Sequence, residues 1–206
     1  MGSTLGLADR LMWDSPVGWV FAKVMPRSHA GVYADVAELL ALRPKDDLLD
    51  IGCGPGAFLA EHGQRASTVT GLDASRTMVR EAEKRLAERI TAGTGRMVLA
   101  GSDELPFDDA AFSAVTAITA PLDLAEVHRV LRPGGRFVVV DELPADPRKS
   151  SAQRTGEIWQ RDEADTLALI SDAGFADLTV RYRGVWHLVD NRIIRCTKPG
   201  ASEPTR

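Results

Sequence analysis

Hydrophobic positions along the chain fall into two alternating rhythms. From Ser28 to Ala41 apolar residues stand at 32, 36, 39 and 40, the spacing of one helix face, and Pro44 closes the run. Leu48 to Ile51 is a short apolar stretch ending in glycines, which predicts a buried strand. A short helix is expected over Ala57 to Arg65, and a second strand over Ser67 to Leu72. Ser75 to Ile90 then places Met78, Val79, Ala82, Leu86 and Ile90 on one face, which predicts one long helix. Strands follow at Met97 to Ala100 and Phe112 to Ile118, and a helix at Asp123 to Leu131 ends at Pro133-Gly134-Gly135. Arg136 to Asp141 reads as a fifth strand. Asp162 to Ala173 reads as a helix capped by Gly174. Leu178 to Arg183 and Asn191 to Thr197 read as two closing strands.

Five strands alternating with helices and then two strands in succession predict an α/β fold, a doubly wound, mostly parallel seven-stranded sheet. Continuous apolar runs in the first five strands imply burial on both faces. The last strand follows a hairpin-like link and is expected to be antiparallel. The chain has 206 residues, enough for one domain of this kind. The expected boundaries are a single domain over 1–197, whose first thirty residues form a lid or packing segment, and a mobile tail over 198–206.

Composition removes several classes of function. A net charge of −4 without a basic run disfavours nucleic-acid binding. On the helix from Ser75, Arg76, Arg80, Lys84, Arg85 and Arg89 are interleaved with Glu81, Glu83 and Glu88, the pattern of a solvated face. Cys53 and Cys196 make no disulfide framework and predict reduced thiols in a cytoplasmic protein. His29, His62, His128 and His187 show no metal-ligand spacing, so no metal is expected. The longest N-terminal apolar stretch, Val17 to Met25, is interrupted by Gly18 and Lys23, far short of the ~20 residues of a membrane span.

The chemistry concentrates where the first strand meets a helix, in Leu49-Asp50-Ile51-Gly52-Cys53-Gly54-Pro55-Gly56. In doubly wound sheets ligands bind outside the carboxyl ends of the strands, and glycines there let a ligand approach the main chain. Asp73 closes the second strand, 17 residues after Gly56, where a carboxylate can accept hydrogen bonds from ribose hydroxyls. Two structural roles compete: the glycines form a tight turn, or Asp73 caps the following helix, for which Ser75 is a second candidate.

LLDIGCGPG, then GLDAS with Met78, then ELPF at 104–107, then HRVLRPGGRFVVVDE at 128–142 resemble a class I S-adenosylmethionine-dependent methyltransferase. The likeness is to the small, ubiquinone-biosynthesis-like "type 11" group and covers Val32 to Asp141. The resemblance implies that Asp50, Gly52, Cys53, Gly54 and Gly56 line the methionine and ribose part of S-adenosylmethionine. It implies that Asp73 holds the ribose hydroxyls, and that Ala74 and Met78 form one side of the adenine pocket. Ser102 or Asp103 takes the adenine amino group, since Gly101 stands where the family pattern has Asp. Tyr33 matches a tyrosine that contacts the methionine end, and Thr116 lies in the strand whose following loop borders the cofactor. Two further departures are Ser113, where the family has Asp, and a trimmed loop over Thr116 to Pro121 without the usual His pair.

The reaction so implied is an in-line methyl transfer to a small-molecule acceptor, with S-adenosylhomocysteine as product. No catalytic residue is assigned, because a base is needed only when the acceptor loses a proton as it attacks. His29 stands closest in sequence to an acceptor lid, for which Trp13, Trp19 and Phe21 are candidates. The alternative of a different class is a non-catalytic S-adenosylmethionine-binding scaffold or regulatory protein of the same fold. A nicotinamide dehydrogenase would use Gly52, Gly54 and Ala57, but the ELPF and RPGG elements speak against it. Acceptor and oligomeric state are not encoded in any recognisable motif.

Overall fold

A computed structural model describes residues 14–15, 29–144, 162–185 and 189–200. The chain runs α1 (Ala30–Leu40), β1 (Asp47–Ile51), α2 (Ala57–His62) with a 3-10 turn (Gly63–Arg65), β2 (Thr68–Asp73), α3 (Arg76–Arg85) and α4 (Ala87–Thr91). It continues with β3 (Gly95–Leu99), β4 (Phe112–Ile118), α5 (Leu124–Val130), β5 (Leu131–Pro144), α6 (Glu163–Asp172), β6 (Ala176–Val185) and β7 (Val189–Thr197). Trp13, Trp19, Phe21 and His187 lie outside the described residues.

The seven strands form one sheet in the order β3-β2-β1-β4-β5-β7-β6. Pairing is parallel from β3 through β5, and β7 is antiparallel to both β5 and β6. The expected antiparallel last strand is therefore present, inserted between β5 and β6 rather than at the edge. Each face carries its own core. One is built on Leu49, Ile51, Val115, Phe137, Val139 and Ile194. The other is built on Val36, Leu40, Leu48, Phe58, Val138 and Ile193. Alternation of side chains along each strand sends neighbours in sequence to opposite layers, which is why continuous apolar runs were needed.

Four expectations are corrected. The single helix over 75–90 is two, because Leu86 leaves helical geometry at φ −105° and ψ 16°. This break lets the buried Leu86 side chain reach Gly56. Arg89, expected on a solvated face, instead donates to the carbonyls of Gly63, Ala66 and Ser67 at 2.9, 3.0 and 2.9 Å. The helix before the RPGG run ends at Val130, and β5 begins directly at Leu131, with a register irregularity opposite Phe112 and Ala114. Lys198, the first residue of the expected tail, is held: its Nζ donates to the His128 and Leu131 carbonyls at 2.8 and 2.9 Å.

Candidate functional site

The parallel strands β1, β2 and β4 end together, and the glycine loop crosses that end. Cys53 N–H donates to the Leu72 carbonyl at 3.0 Å, and Gly56 N–H turns back to the Cys53 carbonyl at 3.0 Å. The loop is thus laid over β2 before α2 begins. Gly52, Gly54 and Gly56 all have positive φ, at 67°, 52° and 73°. Only one of the three faces space. A Cβ on Gly52 would lie 2.2 Å from Ala120 Cβ, and one on Gly56 would lie 3.0 Å from Ala82 Cβ. A Cβ on Gly54 would meet nothing within 4 Å. Gly52 and Gly56 are required by packing, and the open main chain is at Gly54.

Asp73 ties this loop to the next helix. Its Oδ2 accepts from Gly54 N–H at 2.9 Å, and its Oδ1 accepts from Ser75 N–H at 2.8 Å. The helix cap itself is Ser75, whose hydroxyl accepts from Met78 N–H at 3.2 Å. Burial raises the Asp73 carboxyl to about 6, against the pull of the Ser75 and Gly54 N–H groups. Asp50, near the end of β1, is 2% exposed. Burial pushes its carboxyl well above the usual range, and the charge of Asp73 pushes it further. No basic side chain among the described residues is bonded to either carboxylate. A pair of neighbouring acids without a cation is electrostatically costly and favours a positively charged ligand.

The structure brings most of the sequence-chosen residues to this end. Ala74 and Met78 follow Asp73, with Met78 buried in the first turn of α3. The loop carrying Ser102 and Asp103, both half-buried, starts beside them, since Ala100 N–H donates to the Asp73 carbonyl at 3.1 Å. Tyr33 of α1 is buried with its ring 5.9 Å from Phe58, edge to face, and burial and the Asp50 charge both raise its hydroxyl. The Cys53 thiol is buried and pushed well up by burial and the two acids, so it stays protonated. Thr116 is fully buried inside β4, and its hydroxyl donates to the Val138 carbonyl at 3.0 Å. Of the residues considered, it is the one drawn away from the opening and into the sheet. His29 sits at the cap of α1, with its ring 6.1 Å from that of Tyr33.

Two departures from the family pattern find different places. Ser113 lies at the amino end of β4, away from the site, where its hydroxyl donates to Asp46 at 2.9 Å and accepts from Asp47 N–H at 3.0 Å. The trimmed loop packs on the glycine loop through Ala120, and Thr119 N–H donates to the Val140 carbonyl at 3.0 Å.

Sequence reasoning missed a pair of supports. Arg129 donates to the carbonyls of Leu105 and Phe107 at 2.9 and 2.7 Å, while Glu126 accepts from Leu105 N–H at 2.8 Å. The ELPF and HRVLRPGG segments are therefore one unit, clamped by an i,i+3 ion pair visible in the sequence. Asp14 was also missed. Its Oδ1 accepts from the Ser75 hydroxyl at 2.6 Å and from Thr77 N–H at 3.1 Å, 61 and 63 positions away.

A family model described as a methyltransferase domain matches residues 48–135. An uncharacterized methyltransferase of Synechocystis sp. is 30% identical over 186 residues, covering 79% of this chain and 85% of that protein. The chain belongs to the class I S-adenosylmethionine-dependent methyltransferases. Within them its likeness is to the ubiquinone-biosynthesis group. The ubiquinone/menaquinone biosynthesis C-methyltransferase UbiE of Desulfotalea psychrophila is 40% identical over 107 residues, 47% of this chain and 42% of that protein. This methyltransferase domain spans about half the length of the first curated relatives that it matches. Among solved structures, a chain from the complex of the Haloferax volcanii Trm112 methyltransferase activator with a methyltransferase superposes with a TM-score of 0.71. It is 20% identical, and the match covers 95% of this methyltransferase and 99% of that chain, a likeness of fold.

Proposed function

We propose that this chain binds S-adenosylmethionine at the glycine loop and transfers its methyl group to a small-molecule acceptor. The observation that carries this reading is the opening at Gly54, set beside two buried carboxylates that have no bonded cation among the described residues. When bound, S-adenosylmethionine supplies an electrophilic methyl on a positively charged sulfur. Asp50 and Asp73 suit such a charge, and Gly54, flanked by Gly52, Cys53 and Gly56, leaves the main chain bare for the methionine and ribose part. Asp73 is the acceptor for the ribose hydroxyls. Ala74 and Met78 offer an apolar side to adenine, and Ser102 and Asp103 lie near enough in the chain to meet its amino group. Tyr33 completes the assignment as a residue bordering the methionine end, while Thr116, expected there too, has its hydroxyl turned to the Val138 carbonyl inside the sheet.

The chain's contribution to the transfer is alignment and exclusion of water. The acceptor attacks the methyl carbon as the carbon–sulfur bond breaks, which leaves S-adenosylhomocysteine. The trimmed loop at 116–121 and the position of His29 give no arrangement that assigns a base. A small acceptor fits the name of the quinone C-methyltransferase relative. A cytoplasmic location is supported by the two free, buried cysteines. No helix among the described residues is long and apolar enough to cross a membrane. The single-domain boundary at 197 is part of the same proposal.

Calorimetric titration with S-adenosylmethionine and S-adenosylhomocysteine, with NADH as control, tests the reading. Micromolar binding of the first two and none of the third is expected. Absence of both heats, or binding of NADH, would overturn it.

A further inference from the structure

A second opening lies at the other end of the sheet from Gly54. Side chains alternate along β2, so Thr68 and Thr70 share a face with Leu72, which belongs to the layer built on Leu49 and Ile51. Helices α1 to α3 pack on the opposite layer. The connection from β3 to β4 runs over residues 100–111, all of them described, without a helix. The amino-terminal halves of β2 and β3 are thus left open on this face, and a cavity of about 340 Å³ forms between them and the start of β4. None of the residues assigned to the cofactor lines it.

The charged side chains lining this cavity are Asp47, Arg96 and Arg132. Arg132 uses all three of its nitrogens: it donates to the Ala110 and Ala111 carbonyls at 3.1 and 2.7 Å and pairs with Asp47 at 2.8 Å. Asp47 takes the Thr68 hydroxyl on its other oxygen at 2.6 Å. Acid and guanidinium answer each other, so the lining keeps one net positive charge, on Arg96. Arg96 gives its Nε to the Thr70 hydroxyl at 3.1 Å and lies 5.1 Å from the centre of the Phe107 ring. Those contacts hold the guanidinium, while its two terminal nitrogens have no partner among the described residues. Thr70 is 3% exposed, and its own hydroxyl proton has no acceptor among the described residues. A held guanidinium fork beside a buried, uncommitted hydroxyl is suited to an anion.

We propose that this cavity binds a small organic anion, with its carboxylate or phosphate on Arg96 and Thr70 and its apolar body against Ala111 and Phe112. The volume lies at the lower end of small-ligand sites and exceeds what a bare ion fills. The site is separate from the glycine loop, so the inference stands or falls independently of the methyl-transfer reading.

The test is an NMR titration of the full, isotope-labelled chain at fixed ionic strength. Phenyl phosphate and benzoate are its two arms, and inorganic phosphate is the control without an organic body. Saturable shifts at the amides of Thr70, Gly95 and Arg96 are expected in at least one arm, with half-saturation at about 1 mM or below. The arm that binds tighter names the head group. Inorganic phosphate should bind about threefold or more weakly than that arm, for want of the apolar body. Arg96→Gln should weaken the tighter arm by about tenfold or more, and Arg96→Lys, which keeps the charge without the fork, by less. Arg96 is exposed, so both variants should melt close to the parent. Absence of saturable shifts in both arms overturns the inference, as do shifts that persist in Arg96→Gln or inorganic phosphate binding as tightly as the organic anions. Shifts confined to the glycine loop would put the anion at the cofactor site and overturn it as well.

Discussion

The two ends of β1 treat their acids in opposite ways. At the amino end, Asp46 accepts from Arg43 N–H at 2.7 Å, from the Ser113 hydroxyl at 2.9 Å, and from the Arg136 guanidinium. Its neighbour Asp47 accepts from Thr68 at 2.6 Å and pairs with Arg132 at 2.8 Å. Three residues on, Asp50 has no such cation among the described residues, and on the next strand Asp73 accepts from the N–H groups of Gly54 and Ser75. Burial is similar, 5% exposed at Asp46 and 2% at Asp50. The difference is therefore in partners, not in solvent. Where the chain completes its own electrostatics, the acid is part of the scaffold. Where the described residues leave two acids short of a cation, the site is suited to a positively charged ligand.

The largest effect is expected from breaking the finished end. Arg136 is 6% exposed and also donates to the Leu40 carbonyl at the end of α1 at 2.7 Å. Arg136→Ala leaves Asp46 buried and uncompensated, so it should lower unfolding free energy by about 3–5 kcal/mol. Denaturant titration reads this, and cofactor affinity of the folded fraction should be unchanged. A loss of affinity instead would mean that the two ends are not separable. Next comes Gly54→Val at the open end. The side chain enters empty space, so the fold bears only the left-handed strain of about 1–2 kcal/mol, while cofactor affinity should fall more than about 100-fold, roughly 3 kcal/mol. Calorimetry and a melting curve on the same sample separate the two; a folded variant with parental affinity would show that Gly54 is not where the ligand lies.

The contrast between the ends also marks what was readable beforehand. Strands such as Phe137 to Val140 announce themselves, because burial on both faces makes the run continuously apolar. Asp50, Asp73 and the glycine loop were readable because the chemistry there is local in sequence. What was not readable depends on partners far along the chain. Arg136 meets Leu40 across 96 positions and Arg129 meets Leu105 across 24, and each looks in the sequence like a surface cation. The break at Leu86 was hidden because apolar periodicity continues straight through it to Ile90. Nor could the sequence separate Gly54 from Gly52 and Gly56, since the distinction is made by Ala120 and Ala82.

Asp73→Ala sharpens the comparison by removing one of the two acids that have no bonded cation among the described residues. It should weaken cofactor binding by about 1–3 kcal/mol, the range for hydrogen bonds to a charged group. Part of that loss is indirect, because Gly54 N–H and Ser75 N–H lose their common acceptor. Equal affinity in the variant would remove Asp73 from the ligand's contacts.

The gentlest probe is pH. In the free protein the Asp73 carboxyl titrates near 6, raised from 3.8, so its neutral form is favoured between those values. A cationic ligand favours the anion. Binding below about pH 6 must therefore release a proton, and affinity should fall as pH drops through 6, approaching tenfold per unit for one proton. The same shift acts on stability with the opposite sign of slope. Because the folded protein holds this proton more tightly than the unfolded chain does, the contribution of Asp73 to stability is present below 3.8 and is lost as pH rises to 6. Acidification should thus favour the folded free protein through this one group while it disfavours the complex. Calorimetry of S-adenosylmethionine, which carries the sulfonium charge, at pH 5, 6 and 7 in buffers of different ionisation heat counts the proton released. A flat affinity over that range, with no buffer dependence, would mean that Asp73 keeps its protonation state on binding and that the two ends of β1 differ less than their partners imply.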